Sequence, residues 1–255
     1  MTSIYSIYVV WLRYFSVFKK DLTYGVVTTF VEPLLFLASF GFGLGGVIGS
    51  IEIQGVSLSY RSFVLAGLIG QSTMMVSFFE ASYGGFVRMY YQKVFQAIAV
   101  TTVTISEVLW GELLWAATRG FMSAFVVVLI GVFLRDFKPM DAMTMLPIIF
   151  LSSLMFSSLG MLVAALSRTI ESISYPQYLF IFPMFLFCGV FYPLKHLPYW
   201  IQLPVHFLPL TAVLNVVRSH VFGLELSPIY LPSLLLWSVA LTWMARKKMS
   251  ERLLS

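Results

Sequence analysis

The sequence predicts an all-α integral membrane protein with six transmembrane helices, and its composition is the first reason. Of the 255 residues, 59% are hydrophobic and only 11% are charged, whereas soluble domains average about half apolar and about a quarter charged residues. The mean hydropathy is +0.90. A soluble domain of this length cannot bury that much apolar surface, so we expect lipid to cover it. Because no polar stretch is long enough for a soluble domain, residues 1–255 are predicted to form one transmembrane domain.

Six long apolar runs are the second reason. A helix needs roughly 20 mainly apolar residues to cross a bilayer. Runs of about this length are predicted to span at residues 22–49, 62–87, 108–134, 143–166, 174–192 and 229–245.

Two further apolar stretches differ from spanning helices. Residues 4–20 are interrupted by Arg13 and end at Lys19 and Lys20, which predicts an N-terminal helix lying in the membrane interface. Residues 193–222 contain four prolines, and proline at this density breaks a continuous helix. We therefore predict two short re-entrant helices that enter the outer leaflet before the last span. The four prolines are Pro193, Pro198, Pro204 and Pro209.

The distribution of lysine and arginine predicts that both termini face the cytoplasm, as in a multi-pass protein of the inner membrane. With the N-terminus inside, ten of the 16 basic residues flank spans on the inner side and five on the outer side. Arg119 lies within the third span and completes the count. An excess of basic residues marks the cytoplasmic side. We therefore interpret the net charge of +5 as orienting the chain in the membrane, not as binding nucleic acid.

Residues 88–104 are predicted to form a cytoplasmic amphipathic helix between the second and third spans. Apolar side chains such as Tyr91, Val94, Phe95 and Ile98 recur there at helical spacing. Ser106 is then expected to cap the following span. Such a helix lies on lipid or presents one face to a cytoplasmic partner, and composition does not choose between the two.

Four ionisable residues fall within the predicted spans, where each charge is costly: Glu32, Glu80, Glu112 and Arg119. Glu112 and Arg119 are seven residues apart, so they share one helix face two turns apart. Glu32 precedes Pro33, which is expected to kink or loosen the first span. These residues either line a polar path or gate for a substrate, or pair between helices, with one carboxylate neutralising Arg119. Both interpretations stay open.

Motifs for catalysis or metal binding are weak. The run Gly41–Gly46 matches G-x-G-x-x-G but ends a predicted membrane helix, so close helix packing explains it better than a dinucleotide site. No G-x-x-x-x-G-K-[ST] motif is present, so ATP would not bind this chain through a P-loop. His196, His206 and His220 lack the spacing of metal ligands. We therefore expect neither an enzyme nor a metal or cofactor site.

Several sequence motifs, taken in order, resemble type-2 ABC exporter permeases, especially the lipo-oligosaccharide branch that includes nodulation-factor exporters. Any one motif is weak, but the ordered set runs the length of the chain with the proline-rich segment before the last span. The motifs are Glu32-Pro33-Leu34 leading to Gly41-Phe42-Gly43-Leu44-Gly45, Arg88-Met89, Gly111-Glu112-Leu113-Leu114-Trp115-Ala116-Ala117-Thr118-Arg119, Gly189-Val190-Phe191-Tyr192-Pro193-Leu194, Leu197-Pro198, Pro209-Leu210-Thr211 and Arg218.

The resemblance implies a permease dimer, of identical or homologous copies, above two cytoplasmic ABC ATPase subunits that bind ATP and Mg. It makes residues 88–104 the coupling helix, with contacts expected from Arg88, Tyr91, Phe95 and Gln96. It makes residues 4–20 the interfacial helix and residues 193–222 the helices that close the exit. Candidates for the translocation path are Glu32, Glu80, Glu112, Arg119, Phe191 and Tyr192.

The cargo implied by the resemblance is amphipathic: a lipo-oligosaccharide, a glycolipid or a polysaccharide. The abundant aromatic residues suit such a cargo because their rings offer apolar area and stacking faces. One alternative is a permease for drugs or other hydrophobic small molecules. A second is an ion-coupled secondary transporter using Glu32, Glu80 or Arg119, although no inverted repeat is visible. A membrane enzyme acting on lipids is a third.

Overall fold

The computed structural model describes residues 3–20 and 22–254, and the described chain is almost entirely helical, which confirms the all-α prediction. Helix α1 (Ile4–Lys20) has the predicted bounds. It packs along α6 (Ile105–Phe133), where Gly111 leaves room for the Val10 side chain. The Trp11 indole nitrogen donates to the Thr118 hydroxyl at 3.0 Å, which fixes α1 against this helix.

The first predicted span is a helix of mixed geometry followed by a β-hairpin. Helix α2 (Leu22–Phe36) continues through a π-helical segment, Leu37–Leu44, into α3 (Gly45–Ile48). The antiparallel strands β1 (Ser50–Ile53) and β2 (Val56–Ser59) then pair with Ser50 opposite Ser59. Close packing does not explain the whole glycine run, because a Cβ on Gly46 would meet nothing within 4 Å.

The hairpin joins three loops at one end of the molecule. Its turn residues Gln54 and Gly55 both have positive φ, as two-residue hairpin turns require. The Gln54 side-chain amide donates to the Glu225 carbonyl at 3.2 Å and accepts from the Glu225 backbone N–H at 2.9 Å. The Lys195 ammonium donates to the Glu52 carbonyl at 2.9 Å. The hairpin therefore fastens the segments around Lys195 and Glu225 to itself.

Helix α4 (Tyr60–Phe79) is the centre of the bundle and packs against α6, α8 (Leu146–Leu166) and α12 (Pro209–Phe222). Ser59 caps its N-terminus by accepting from the Ser62 N–H at 3.1 Å. Two π-helical segments, Glu80–Gly84 and Val87–Tyr91, extend it so that the helix runs from Tyr60 to Tyr91. The second predicted span therefore continues four residues beyond its expected end.

The predicted amphipathic helix 88–104 is wrong in extent. Residues 88–91 belong to the end of the preceding helix, and Lys93 adopts positive φ, which separates them from the short helix α5 (Val94–Ala99). The cap predicted at Ser106 is also displaced. Thr104 is the N-cap of α6, and its side chain and Glu107 form a reciprocal capping box.

The second half of the chain contains two long helices and a broken segment. Helix α7 (Pro139–Thr144) leads into α8. Helix α9 (Ser174–Pro176), a π-helical segment and α10 (Phe182–Phe187) follow, and the chain leaves the helix before Gly189, whose φ is +85°. Helices α11 (Tyr199–His206) and α12 meet at 85°, so the proline-rich segment is divided into two helices, and its re-entrant course stays a prediction. The last helix is α13 (Tyr230–Leu254).

Four helices in the described part of the chain are long and apolar enough to cross a membrane. Counting the bent pair α11–α12 as one span raises the number to five. Neither residues 174–192 nor α13 meets the same criteria, so the six-span count stays a prediction. The four spans are Thr29–Ile48, Tyr60–Tyr91, Ile105–Phe133 and Pro139–Leu166.

Candidate functional site

Four charged side chains meet between α4 and α6, and we call Glu80, Arg88, Glu112 and Arg119 the inner ion cluster. Arg88 donates through Nη1 to Glu80 Oε1 at 2.8 Å and through Nε to Glu112 Oε1 at 2.9 Å. A further short contact joins Arg88 Nη2 to Glu112 Oε1. Arg119 Nε lies 3.8 Å from Glu80 Oε2. Two cations therefore face two carboxylates, and the cluster has no net formal charge.

The environment of this cluster is aromatic and largely closed to solvent. The side chains of Arg88 and Glu112 are 16% and 1% exposed. The Trp115 indole N–H donates to Glu80 Oε1 at 2.9 Å, and the Arg88 guanidinium lies over the Tyr14 ring. Burial raises the pKa of the Tyr14 hydroxyl well above its usual range. Pairing is what makes such burial tolerable, because an isolated charge in this setting would be costly.

Backbone geometry makes room for the Arg88 guanidinium. Arg88 lies on the second π-helical segment of the α4 extension and reaches back to Glu80 on the first, where Nη2 also donates to the Glu80 carbonyl at 3.1 Å. A Cβ on Gly84 would lie 3.0 Å from Arg88 Nη1, and one on Gly85 would lie 3.5 Å from Glu112 Oε1. Gly84 therefore clears the space for the Arg88 guanidinium, whereas a Cβ on Gly85 would make only an ordinary contact.

Of the carboxylates that the sequence offered to Arg119, the structure brings Glu80 to it. Glu112 shares a helix face with Arg119 but binds Arg88 instead. Glu32 lies on the exposed side of α2 and accepts from the Gln71 amide at 3.0 Å. Arg88 is the cluster member that the sequence analysis missed, because its position suggested the start of a surface helix.

The four residues proposed to contact an ATPase lie in different environments. Tyr91 is 59% exposed, whereas Phe95 is 3% exposed and packs into the hydrophobic core. Arg88 is held within the inner ion cluster. The side chain of Gln96 lies outside the described part of the structure. Of the four, Tyr91 is the one whose described side chain is both accessible and next to α5.

A cavity of about 640 Å³ adjoins the inner ion cluster between α1, α2 and α4. Its wall combines the charged residues Glu32, Glu80 and Arg119 with the rings of Phe18 and Phe79. The Arg119 guanidinium lies 4.9 Å from the centre of the Phe18 ring, so an aromatic face covers one side of the cation. Three of the predicted path residues thus share one cavity.

A second cavity, of about 770 Å³, lies at the other end of α4, and four phenylalanine rings form one wall. We call Phe36, Phe40, Phe185 and Phe191 the outer aromatic cluster. The Phe40 and Phe191 rings stack at 4.1 Å, and Phe185 meets Phe191 edge-on at 5.3 Å. Tyr192 also lines this cavity and donates to the Leu186 carbonyl at 2.7 Å. Phe191 and Tyr192 therefore line a different cavity from Glu32, Glu80 and Arg119.

A buried arginine holds the loop that carries Phe191. Arg218 Nη2 donates to the Gly189 carbonyl at 2.7 Å, and its guanidinium lies 3.8 Å from the centre of the Phe63 ring. Among the described residues it forms no ion pair with a carboxylate. Gly67 also approaches this loop so closely that a Cβ would collide with the Val190 carbonyl. The loop is thus fixed by α12 and α4 together.

The histidines lie apart and have ordinary polar partners. His206 pairs with the Tyr230 hydroxyl at 2.8 Å, and His220 contacts the Thr144 hydroxyl. Within residues 3–20 and 22–254, no three His, Cys, Asp or Glu side chains form a group able to hold a metal ion.

Comparison with known proteins gives one family over most of the chain. Residues 5–222 match the family described as ABC-2 type transporter. The chain is 33% identical to Nodulation protein J of Rhizobium meliloti (strain 1021) over 214 residues, covering 84% of this chain and 80% of the relative. It is 32% identical to Nodulation protein J of Azorhizobium caulinodans over 87% of each chain. The Inner membrane transport permease YadH of Escherichia coli (strain K12) is 23% identical over 86% of each chain.

Proposed function

This chain belongs to the ABC-2 type transporter family, and we propose that it is the transmembrane permease subunit of an ATP-driven exporter that moves an amphipathic cargo out across the inner membrane. A membrane-embedded transport permease has no catalytic step of its own. ATP and Mg would bind a separate cytoplasmic ABC ATPase, present in two copies beneath a dimer of identical or homologous permeases.

The inner ion cluster is the observation that carries this proposal. A transporter driven by a separate ATPase must carry movement from a cytoplasmic contact into its spanning helices. Here Arg88, six residues before α5 begins, is bound to Glu80 on the same extension of α4 and to Glu112 on α6. Rigid ionic and hydrogen-bonded links transmit displacement where a flexible loop would absorb it. A push on α5 and Tyr91 would therefore reach both central helices.

The outer aromatic cluster supports an amphipathic cargo. Its cavity is lined mainly by apolar rings, with Lys195, His196 and Glu52 at the edge. A cargo with an apolar portion and a polar sugar portion would find a partner for each. The relatives named Nodulation protein J point to a lipo-oligosaccharide, and the permease name of the Escherichia coli relative is consistent with export at the inner membrane.

Ion-coupled secondary transport is supported less well. A carboxylate that binds a transported cation must exchange that cation during each cycle. Glu80 and Glu112 instead bind the fixed cation Arg88. Glu32 remains accessible in the inner cavity, but a single carboxylate bound by Gln71 is weak support for ion coupling.

We propose that α1, α5 and the C-terminal end of α13 face the cytoplasm, following the excess of basic residues on that side. The β-hairpin and α11 would then face outward. Single cysteines introduced into a Cys188→Ser background test this orientation by labelling with an impermeant thiol reagent in intact cells. We expect label at position 196 and none at position 93. Label at 196 only after the cells are opened would reverse the orientation.

Affinity purification from native membranes tests the function directly. The tagged chain should retain an ABC ATPase after gentle solubilisation, and the reconstituted complex should move a fluorescent lipo-oligosaccharide only with hydrolysable ATP. ATP with a catalytically dead ATPase is the matched control. Transport by the chain alone, driven by a proton or sodium gradient, would establish the secondary-transporter alternative instead.

A further inference from the structure

A third cavity lies between the start of α6 and the C-terminal half of α13, away from both regions described above. Its volume is about 280 Å³, and Arg246 and Lys247 supply two positive charges to its wall. Ser106 and Ser250 supply hydroxyl groups, and Trp243 supplies an indole ring. Cations and hydroxyls around a small cavity are the groups that bind a phosphate.

The two cations form no direct ion pair within the described chain. The Glu251 carboxylate accepts from the Lys248 ammonium at 2.9 Å and interacts with Lys247 only through its electrostatic field. Arg246 Nη2 donates to the Ser106 hydroxyl at 2.9 Å, but its buried Nε has no hydrogen-bond partner in the described structure. The nearby Glu107 is already engaged, because its carboxylate accepts from the Ser3 and Thr104 N–H groups. An anion is the group that this wall lacks.

Aromatic rings hold the two cations in place without neutralising them. The Arg246 guanidinium lies 4.8 Å from the centre of the Trp110 ring, and the Lys247 ammonium lies 5.2 Å from that of Trp243. The site is therefore preorganised and positive before any ligand arrives.

The exposed face of α13 indicates a lipid as the source of the phosphate. Leu236, Val239, Trp243 and Lys247 follow one another at spacings of three and four residues, so they share one helix face. The first three are 70%, 70% and 63% exposed. Along this face the order is aliphatic, then indole, then cation. A membrane lipid places its acyl chains, interface and headgroup in the same order.

We infer that this cleft binds the phosphate of one anionic phospholipid headgroup, with the acyl chains lying along the exposed face of α13. Arg246 and Ser106 would bind the phosphate oxygens from one side and Lys247 from the other. Basic pockets between membrane helices are known to select anionic headgroups in this way. The inference does not depend on the cargo or on the partner of the transporter.

Native mass spectrometry of the purified full-length chain tests the site. The chain would be titrated with phosphatidylglycerol or with phosphatidylcholine of the same acyl chains. We expect one tight phosphatidylglycerol, and about tenfold weaker binding in the Arg246→Gln/Lys247→Gln double variant. The matched control, Arg168→Gln/Lys248→Gln, removes two exposed charges that do not line the cavity and should bind like the wild-type chain.

Three results would overturn the inference. Equal losses in the two double variants would mean that general charge, not the cleft, attracts the lipid. Equal binding of phosphatidylcholine would show that the site does not select an anionic headgroup. Displacement by an equal concentration of inorganic phosphate would identify a free-anion site instead of a lipid site. If the double variant fails to fold, Lys247→Gln alone, at an exposed position, should still weaken phosphatidylglycerol several-fold, and unchanged affinity would contradict the proposal.

Discussion

The inner ion cluster and the outer aromatic cluster lie toward opposite ends of α4 and differ in how fully their side chains are engaged by one another. At the inner ion cluster, Arg88 binds two carboxylates from two helices, and its charge is matched by groups that are themselves fixed. At the outer aromatic cluster, four rings contact one another and leave one side open to a cavity of about 770 Å³. The first arrangement favours one geometry, whereas the second keeps apolar area available.

This difference predicts that variants in the inner ion cluster mainly lower stability and that variants in the outer aromatic cluster mainly lower transport. Removing one member of a buried charge network leaves its partners uncompensated, so the cost falls on folding. Removing one ring from an open apolar wall costs little folding free energy but changes the surface that a cargo meets. Four variants test this separation, and their expected effects on stability decrease in the order given below.

The largest effect is expected for Arg88→Met. It removes both ionic contacts, leaving Glu112 buried without its cation and Glu80 with only the longer contact to Arg119, which should cost about 3–5 kcal/mol. Thermal melting of the purified chain in detergent measures the loss. Adding Glu112→Gln should recover part of it, because one orphaned charge is removed. Arg168→Met at an exposed position is the control, and an Arg88→Met protein that melts like this control would disprove the cluster's structural role.

A smaller loss is expected for Arg119→Ala, about 1–2 kcal/mol, because its contact with Glu80 at 3.8 Å is longer than those of Arg88. Adding Glu80→Gln to Arg119→Ala should recover less stability than adding Glu112→Gln to Arg88→Met, since Glu80 also binds Arg88 and Trp115. Melting and transport are measured on the same preparation. A fully stable but transport-dead Arg119→Ala would move Arg119 from a structural role to the cargo path.

Phe40→Leu should lower the free energy of unfolding by only about 1 kcal/mol and reduce transport several-fold. The reason is that Phe40 stacks on Phe191 at the wall of the outer cavity. Phe133→Leu, at a ring that is 85% exposed, is the matched control. If both variants transport equally well, the outer aromatic cluster does not contact cargo.

Tyr91→Asp should leave stability within about 0.5 kcal/mol of the wild type, because the side chain is 59% exposed. It should nevertheless weaken retention of the ATPase during purification and uncouple ATP hydrolysis from transport. Phe95→Asp would be a poor test, since Phe95 is buried and an aspartate there would destabilise the fold. If the Tyr91→Asp variant copurifies with the ATPase and transports normally, then Tyr91 and α5 do not form the proposed ATPase contact.

Much of the architecture could be predicted from the sequence because hydropathy and proline act locally. The bounds of the helix 4–20 and the bend in the segment 193–222 follow from where charge and proline interrupt apolar runs. The hairpin after Ile48 was missed. Its signal was the Gln54-Gly55 pair between two short alternating stretches, which a search for 20-residue runs passes over.

The cluster could be predicted only in part because its pairing depends on distance between helices. Charges in a bilayer need partners, so the sequence could name Glu80, Glu112 and Arg119 as residues that either pair or line a path. It could not say which carboxylate meets which cation, and it did not place Arg88 among them. Two π-helical segments carry the helix past its expected end and turn Arg88 inward, and no periodicity of 3.6 residues reveals that rotation.

The contact between Gln54 and Glu225 has a consequence for how this chain can diverge among species. Both hydrogen bonds of the Gln54 amide go to backbone atoms of residue 225 and none to its side chain. Residue 225 is therefore free to vary, with proline the one replacement that would remove a donor. The loop around residue 225 can then change its side chains, and with them its surface chemistry, as long as Gln54 is kept.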